Sequence, residues 1–250
     1  MANFDQDRLR TGVGAQEYAI DQGLRSYMLR VYNYMAGGLA ITGLVAWFAF
    51  QAAIQDTGAG IALSPFGQAL YASPLKWLVI LAPLGLVFYL SARISRMSVG
   101  GAQAAFWIFA ALMGLSLSSV FLVYTGASIA QTFFVTAAAF GSLSLYGYTT
   151  KRDLSAMGSF MFMGLIGIII ASLVNLFLQS SALQFAVSVI GVLVFAGLTA
   201  WDTQRIKEMY FEGDGAVVAG KKAIMGALSL YLDFINMFMF LLQFFGSQRD

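Results

Sequence analysis

The chain has 250 residues, of which 59% are hydrophobic and 10% are charged, with a formal net charge of +2. A soluble domain carries about 25% charged residues, so the composition excludes an ordinary soluble protein and points to the bilayer. Cysteine and histidine are absent, which excludes disulfides, thiolate or imidazole metal sites, Ser-His catalysis and the usual sensor of near-neutral pH.

The first 30 residues are polar and mixed in charge, with no apolar core and cleavage site, so no signal peptide is expected. Ile20, Leu24, Met28 and Val31 share one helical face. That face fits either a short interfacial helix or a plain lead-in to the first span. Residues 1–30 are therefore expected as a polar cytoplasmic segment and residues 31–250 as the membrane domain.

A spanning helix needs about 20 mainly apolar residues. Seven stretches qualify, at approximately 32–51, 75–92, 102–124, 128–148, 156–178, 182–202 and 224–245. This predicts an all-α, polytopic protein with a seven-transmembrane-helix bundle. Pro83 should kink the second span and free a carbonyl. The links "TGA" and "QSS" predict antiparallel hairpins. The links 52–74 and 203–223 are long and rich in glycine, and flexibility is expected there.

Lys and Arg set the orientation. With the N-terminus inside, the cytoplasmic segments hold Arg8, Arg10, Arg25, Arg30, Arg93, Arg96, Lys151, Arg152, Arg205, Lys207, Lys221 and Lys222, against Lys76 and Arg249 on the other side. The rule does not decide whether the last stretch spans or re-enters.

Polar residues form stripes. Gly226, Ser229, Asp233, Asn236 and Gln243 lie on one face of the last helix. Gln184, Ser188, Gly191, Thr199 and Asp202 do the same on the sixth, and Gly164, Gly167, Ser172 and Asn175 on the fifth. A carboxylate in hydrocarbon costs about 2.5–3.5 kcal/mol even on the lenient insertion scale. Asp233 therefore needs a partner. Consecutive antiparallel helices are neighbours, so Asp202 can supply one. Two such carboxylates cannot both ionise cheaply and titrate as a unit, which makes a proton switch without histidine. One obstacle is depth. With these boundaries Asp202 sits at a helix end and Asp233 about 15 Å into its helix. They meet only if the sixth helix continues past Arg205 or the seventh starts later. The bland reading is a protonated Asp233 bonded across helices, for instance to Asn175.

The segments "LSLYLDFINMF" (228–238), "GLTAWDTQRIK" (197–207), "YGYTTKRDLS" (146–155) and "ARISRMS" (92–98) resemble the Bax inhibitor-1 family, the transmembrane Bax inhibitor motif proteins. The resemblance covers most of the membrane part and none of the first 30 residues. It implies a bundle wrapped around a central C-terminal helix. It also implies a pH-sensitive calcium leak gated by an aspartate dyad, which by motif position is Asp202 and Asp233. A basic residue at the end of helix two is implied as a latch on the dyad, a place that Arg93 or Arg96 could take. Trp201 stands where the family often has Tyr. The family also includes regulators of cell death and of membrane proteases.

Calcium wants six to eight oxygens. Asp202 and Asp233 with Ser229 and Asn236 fall short of that, which suits passage better than storage. Ser229, Asn236 and Asn175 are the candidate lining residues. No cofactor is expected beyond calcium held weakly by the two acids, and no nucleic acid. The expected partners are the bilayer, calcium or other cations, and a membrane protease or other membrane protein. The expected location is a bacterial inner membrane. No enzymatic activity is expected. An intramembrane aspartyl protease would want glycine before the second Asp, where Leu232 stands, and a late Pro-Ala-Leu, whereas the prolines here are Pro65, Pro74 and Pro83. A retinal protein would need a mid-span Lys. The alternative function is a non-transporting membrane interaction protein.

Overall fold

In the computed structural model, the backbone is described for residues 2–56 and 61–249 and the side chains for residues 22–55 and 62–249. Ile20, Arg8 and Arg10 lie outside the described side chains, and residues 57–60 of the first long link lie outside the description altogether.

Among the described residues, seven helices are long and apolar enough to cross a membrane. They are α1 (Ala2–Ala53), α2 (Leu75–Arg93), α3 (Val99–Leu117, extended by the turn Val120–Val123), α4 (Gly126–Thr149), α5 (Ser155–Leu178), α6 (Ser181–Glu208) and α7 (Ala216–Phe245). Hydrocarbon offers no partner for a free backbone group, so each apolar stretch closes its hydrogen bonds within itself.

Several boundaries differ from the expectation. Helix α1 passes residue 31 without a break. Tyr27, Met28 and Val31 are buried in the main core, so this face packs on protein rather than lying on a membrane surface. Helix α2 continues through a buried Pro83. The described parts of the 52–74 link, residues 52–56 and 61–74, carry regular structure. Ile54–Asp56 pairs antiparallel with Ile61–Leu63. Ser64 caps the turn Pro65–Gly67, and the Tyr71 hydroxyl donates to Ser118 Oγ at 2.8 Å.

Helix α7 is the axis. In its most apolar 18-residue window 67% of residues are buried by protein, and no other span exceeds 33%. Helices α1, α3, α4 and α6 all pack on it. Helix α5 is different, because it leans mainly on α6 and is only 6% buried in the same measure.

The two ends of the bundle are tied differently. At one end Tyr27 meets Tyr210 with ring centroids 5.7 Å apart. At that end Lys207 Nζ donates to the Tyr148 carbonyl and Lys221 Nζ to the Ser95 carbonyl, each at 2.8 Å. Lys222 reaches both the Met209 carbonyl and Asp214, which folds residues 209–215 back along the start of α7. At the other end the Arg249 amide donates to the Val123 carbonyl at 2.8 Å and the Thr125 amide to the Ser247 carbonyl at 3.1 Å. The C-terminus is thus pinned beside the α3–α4 turn. Helix α7, 30 residues and about 45 Å long, is long enough to span the bilayer.

Candidate functional site

Two close approaches fix the turn of α6 that carries Asp202. A Cβ on Gly147 of α4 would stand 2.1 Å from the Ala200 carbonyl oxygen, so only glycine lets these backbones come this close. A Cβ on Gly158 of α5 would stand 2.2 Å from the Trp201 indole. Trp201, in the place of the expected Tyr, therefore lies flat on α5 and makes up in packing for the missing hydroxyl. One turn on, Gln204 accepts from the Leu154 amide and donates to the Arg152 carbonyl, both at 2.8 Å, which anchors the 150–154 loop to α6.

Helix α6 runs on to Glu208, as the meeting of the two acids required. Its pairing with α7 sets Ile206 against Gly226 and Gly191 against Phe240, and Ser188 donates to Gln243 at 3.4 Å. In this register the carboxyl groups of Asp202 and Asp233 lie within hydrogen-bonding reach of each other. The depth obstacle disappears because α7 starts at Ala216 and extends past the end of α6, with Ile206 level with Gly226, and the loop folds back beside its first turns.

Both acids are buried, Asp202 at 8% and Asp233 at 5% exposure. Asp202 Oδ1 and Asp233 Oδ2 are buried with no hydrogen-bond partner in the structure. Arg205, one turn along α6, brings Nη2 to 3.1 Å from Asp202 Oδ1, off the hydrogen-bonding direction. Its guanidinium also lies 4.8 Å from the Trp201 ring centroid, a cation–π contact that holds the side chain beside the acid. Two carboxyl groups this close need a proton between them or a cation beside them.

The acids line a cavity of about 690 Å³ bounded by α5, α6 and α7. Ser229 and Asn236 line it as well. Asn236 donates back to the Leu232 carbonyl at 2.8 Å, which leaves its amide oxygen as the free end. Asn175 does not join them. Its Oδ1 accepts from the Ser180 amide at 2.9 Å and so stabilises the tight α5–α6 turn, where Gln179 takes a left-handed φ of 49°. Arg93 and Arg96 are exposed, and neither pairs with an acid among the described residues. The turn between them bonds to Lys221, twelve residues and about 18 Å along α7 from Asp233.

Arg205 is the site residue that the sequence reading missed, having counted it only as a loop charge. Its signal was the three-residue spacing from Asp202, which places the two side chains one above the other. A chain of hydroxyls was missed too. Tyr32 bonds Ser144, Ser144 bonds Thr203 at 2.9 Å, and Thr203 donates to the Thr199 carbonyl at 2.8 Å, tying α1 and α4 to the turn beside Asp202. Among the described residues no three or more His, Cys, Asp or Glu side chains gather as a metal site. Calcium at the dyad would take most of its oxygens from water or backbone.

The family described as "Inhibitor of apoptosis-promoting Bax1" matches residues 24–250. The chain is 51% identical to the Rickettsia prowazekii protein named "Uncharacterized protein RP147", over 92% of this chain and 93% of that one. It is 50% identical to the Escherichia coli (strain K12) protein named "Inner membrane protein YbhL", over 91% of this chain and 94% of that one. A Caulobacter vibrioides protein is 47% identical over 94% and 93% of the two chains. With seven candidate spans among the described residues, the chain is an integral membrane protein and belongs to the Bax inhibitor-1 family.

Proposed function

We propose that the protein is a pH-sensitive leak for calcium or a similar cation, described here in a closed state, with Asp202 and Asp233 as its gate. One observation carries the reading: two buried carboxyl groups on neighbouring helices reach each other on the wall of a cavity, with one oxygen of each left without a hydrogen bond and the Arg205 charge beside Asp202. An acid kept in the membrane only for packing would have its oxygens satisfied. A shared proton closes the α6–α7 contact. Losing it makes the acids repel and gives a passing cation a binding point. The two carboxyl groups offer four oxygens where calcium wants six to eight, a shallow site that suits passage. Arg205, rather than Arg93 or Arg96, is the basic group beside the pair in this state.

The proposed location is a bacterial inner membrane, supported by the name of the E. coli relative. A cytoplasmic N-terminus is supported by the twelve-to-two charge count. A cysteine placed at position 152 should then escape an impermeant maleimide added outside intact cells, and one at position 248 should react.

A second reading is favoured by α5, whose apolar face packs on little besides α6. That face could dock another membrane protein, for instance a protease under its control. Purified protein in calcium-loaded vesicles separates the two. Release above that of protein-free vesicles supports the leak, and its absence at every pH between 5 and 8 supports the interaction protein.

A further inference from the structure

The cavity at the dyad opens sideways, through the gap between α5 and α7. Helix α5 does not close on α7, because it leans mainly on α6. Along this gap Phe162, Ile169, Leu173 and Leu176 line the cavity and are each more than half exposed on the lipid-facing surface. From Phe162 to Leu176 the cleft follows fourteen residues of α5, about 21 Å, a large part of the roughly 30 Å hydrocarbon core. Its walls are apolar. Its charged groups are Asp202, Asp233 and Arg205, and these stand together.

We propose that this cleft is a binding site for a single-chain lipid amine, an amphiphile with a primary ammonium head that enters from the bilayer. The inference deepens the reading of the dyad as a cation site and rests on the same two acids. With both acids ionised, one guanidinium leaves one negative charge unmatched. A protonated amine supplies that charge and up to three N–H donors for Asp202 and Asp233, the two acids on the cavity wall. A hydrated metal ion would have to shed its water against Phe and Leu to come in this way, whereas an alkyl chain is at home there. A cavity of about 690 Å³ is of the size that holds a small ligand. The amine would compete with the shared proton and with calcium, and so would hold the gate from the membrane side.

The test uses the full-length protein in phosphatidylcholine vesicles at pH 6, with peptide mass spectrometry to locate modified acids. Dicyclohexylcarbodiimide, an apolar reagent that reaches carboxyl groups through lipid, should modify Asp202 or Asp233, and a water-soluble carbodiimide should not. Dodecylamine at about ten times its dissociation constant should lower the modification about tenfold, and dodecanol should leave it unchanged. Ser172→Trp fills the cleft from its exposed α5 wall, keeps both acids, and should lose the modification. The proposal is overturned if the apolar reagent modifies neither acid, if dodecanol protects as well as dodecylamine, or if Ser172→Trp reacts like the wild type. Calcium release from the same vesicles is scored separately. Release without amine protection sinks this inference and leaves the leak standing, and protection without release does the reverse.

Discussion

Tyr231 and Asp233 stand two residues apart on α7 and face opposite flanks of the bundle. Tyr231 is fully buried. Its hydroxyl bonds Thr42 Oγ1 at 2.7 Å, and Thr42 donates to the Ala110 carbonyl at 2.8 Å. Phe106 and Phe109 meet its ring edge-to-face at 6.2 and 5.2 Å. Asp233 is almost as buried, yet one of its oxygens lacks a partner and its neighbours line an open cleft. On the α1–α3 flank a polar group in the membrane is completely satisfied. On the α5–α6 flank it is left partly unsatisfied, at a cost in stability. The difference separates a polar group that holds the bundle together from one kept available for a ligand.

The largest expected effect tests that separation through stability. Tyr231→Ala removes a fully packed ring and should cost about 3 kcal/mol or more. Tyr231→Phe leaves Thr42 its bond to Ala110 and should cost about 1 kcal/mol. Asp233→Asn keeps size and polarity and should stay within about 1 kcal/mol of wild type. Unfolding of the purified proteins in detergent reads all three. If Asp233→Asn loses as much as Tyr231→Ala, the acid is structural and the comparison breaks.

A smaller effect concerns the guanidinium on the unsatisfied flank. Arg205→Ala removes the one counter-charge found beside the acids among the described residues, so the shared proton that closes the contact is held more tightly and resting calcium release should fall, by roughly tenfold for each 1.4 kcal/mol of electrostatic bias removed. Arg93→Ala and Arg96→Ala, whose turn lies about 18 Å away along α7, should leave release near wild type. Release that rises with Arg93 or Arg96 and not with Arg205 would return the latch to the end of α2.

The smallest effect lies in the α4–α5 loop, outside the membrane. The Ser155 side chain and amide bond Asp153, the amide at 2.8 Å, and hold its carboxyl below the usual carboxylate range. A depressed folded pKa contributes stability above the unfolded value, about 3.9, and this is lost as pH falls through the folded value. The acid is fully exposed, so Asp153→Asn should melt only slightly earlier than wild type at pH 7, and the difference should shrink as the carboxyl is protonated at acid pH. A large deficit at pH 7 would mean that the loop bears more of the fold than its exposure suggests.

The seven spans were legible because the bilayer forces each to be long, apolar and internally bonded. Asp233 stood out for the same reason, as a carboxyl inside an apolar run, and Asp202 because it is the other acid at the edge of a span in the second half of the chain. Their relative depth was not legible, because it depends on how the helices slide past each other. Gly147 against Ala200 and Gly226 against Ile206 set that slide, and no periodicity reports it. Arg205 was hidden by the charge count, which treats every basic residue near a helix end as a loop charge. Asn175 misled because amides cap turns as readily as they line cavities. The lateral cleft was illegible too, since it arises from α5 failing to reach α7.

The central claim is that Asp202 and Asp233 act as one titrating unit. Calcium release from vesicles should be followed from pH 5 to 8 for wild type, Asp202→Asn, Asp233→Asn and the double variant. Each single variant should flatten the pH profile, and the double variant should add nothing, because either change alone already dissolves the unit. Folded single variants that keep the wild-type profile, or effects that simply add in the double variant, would contradict the claim.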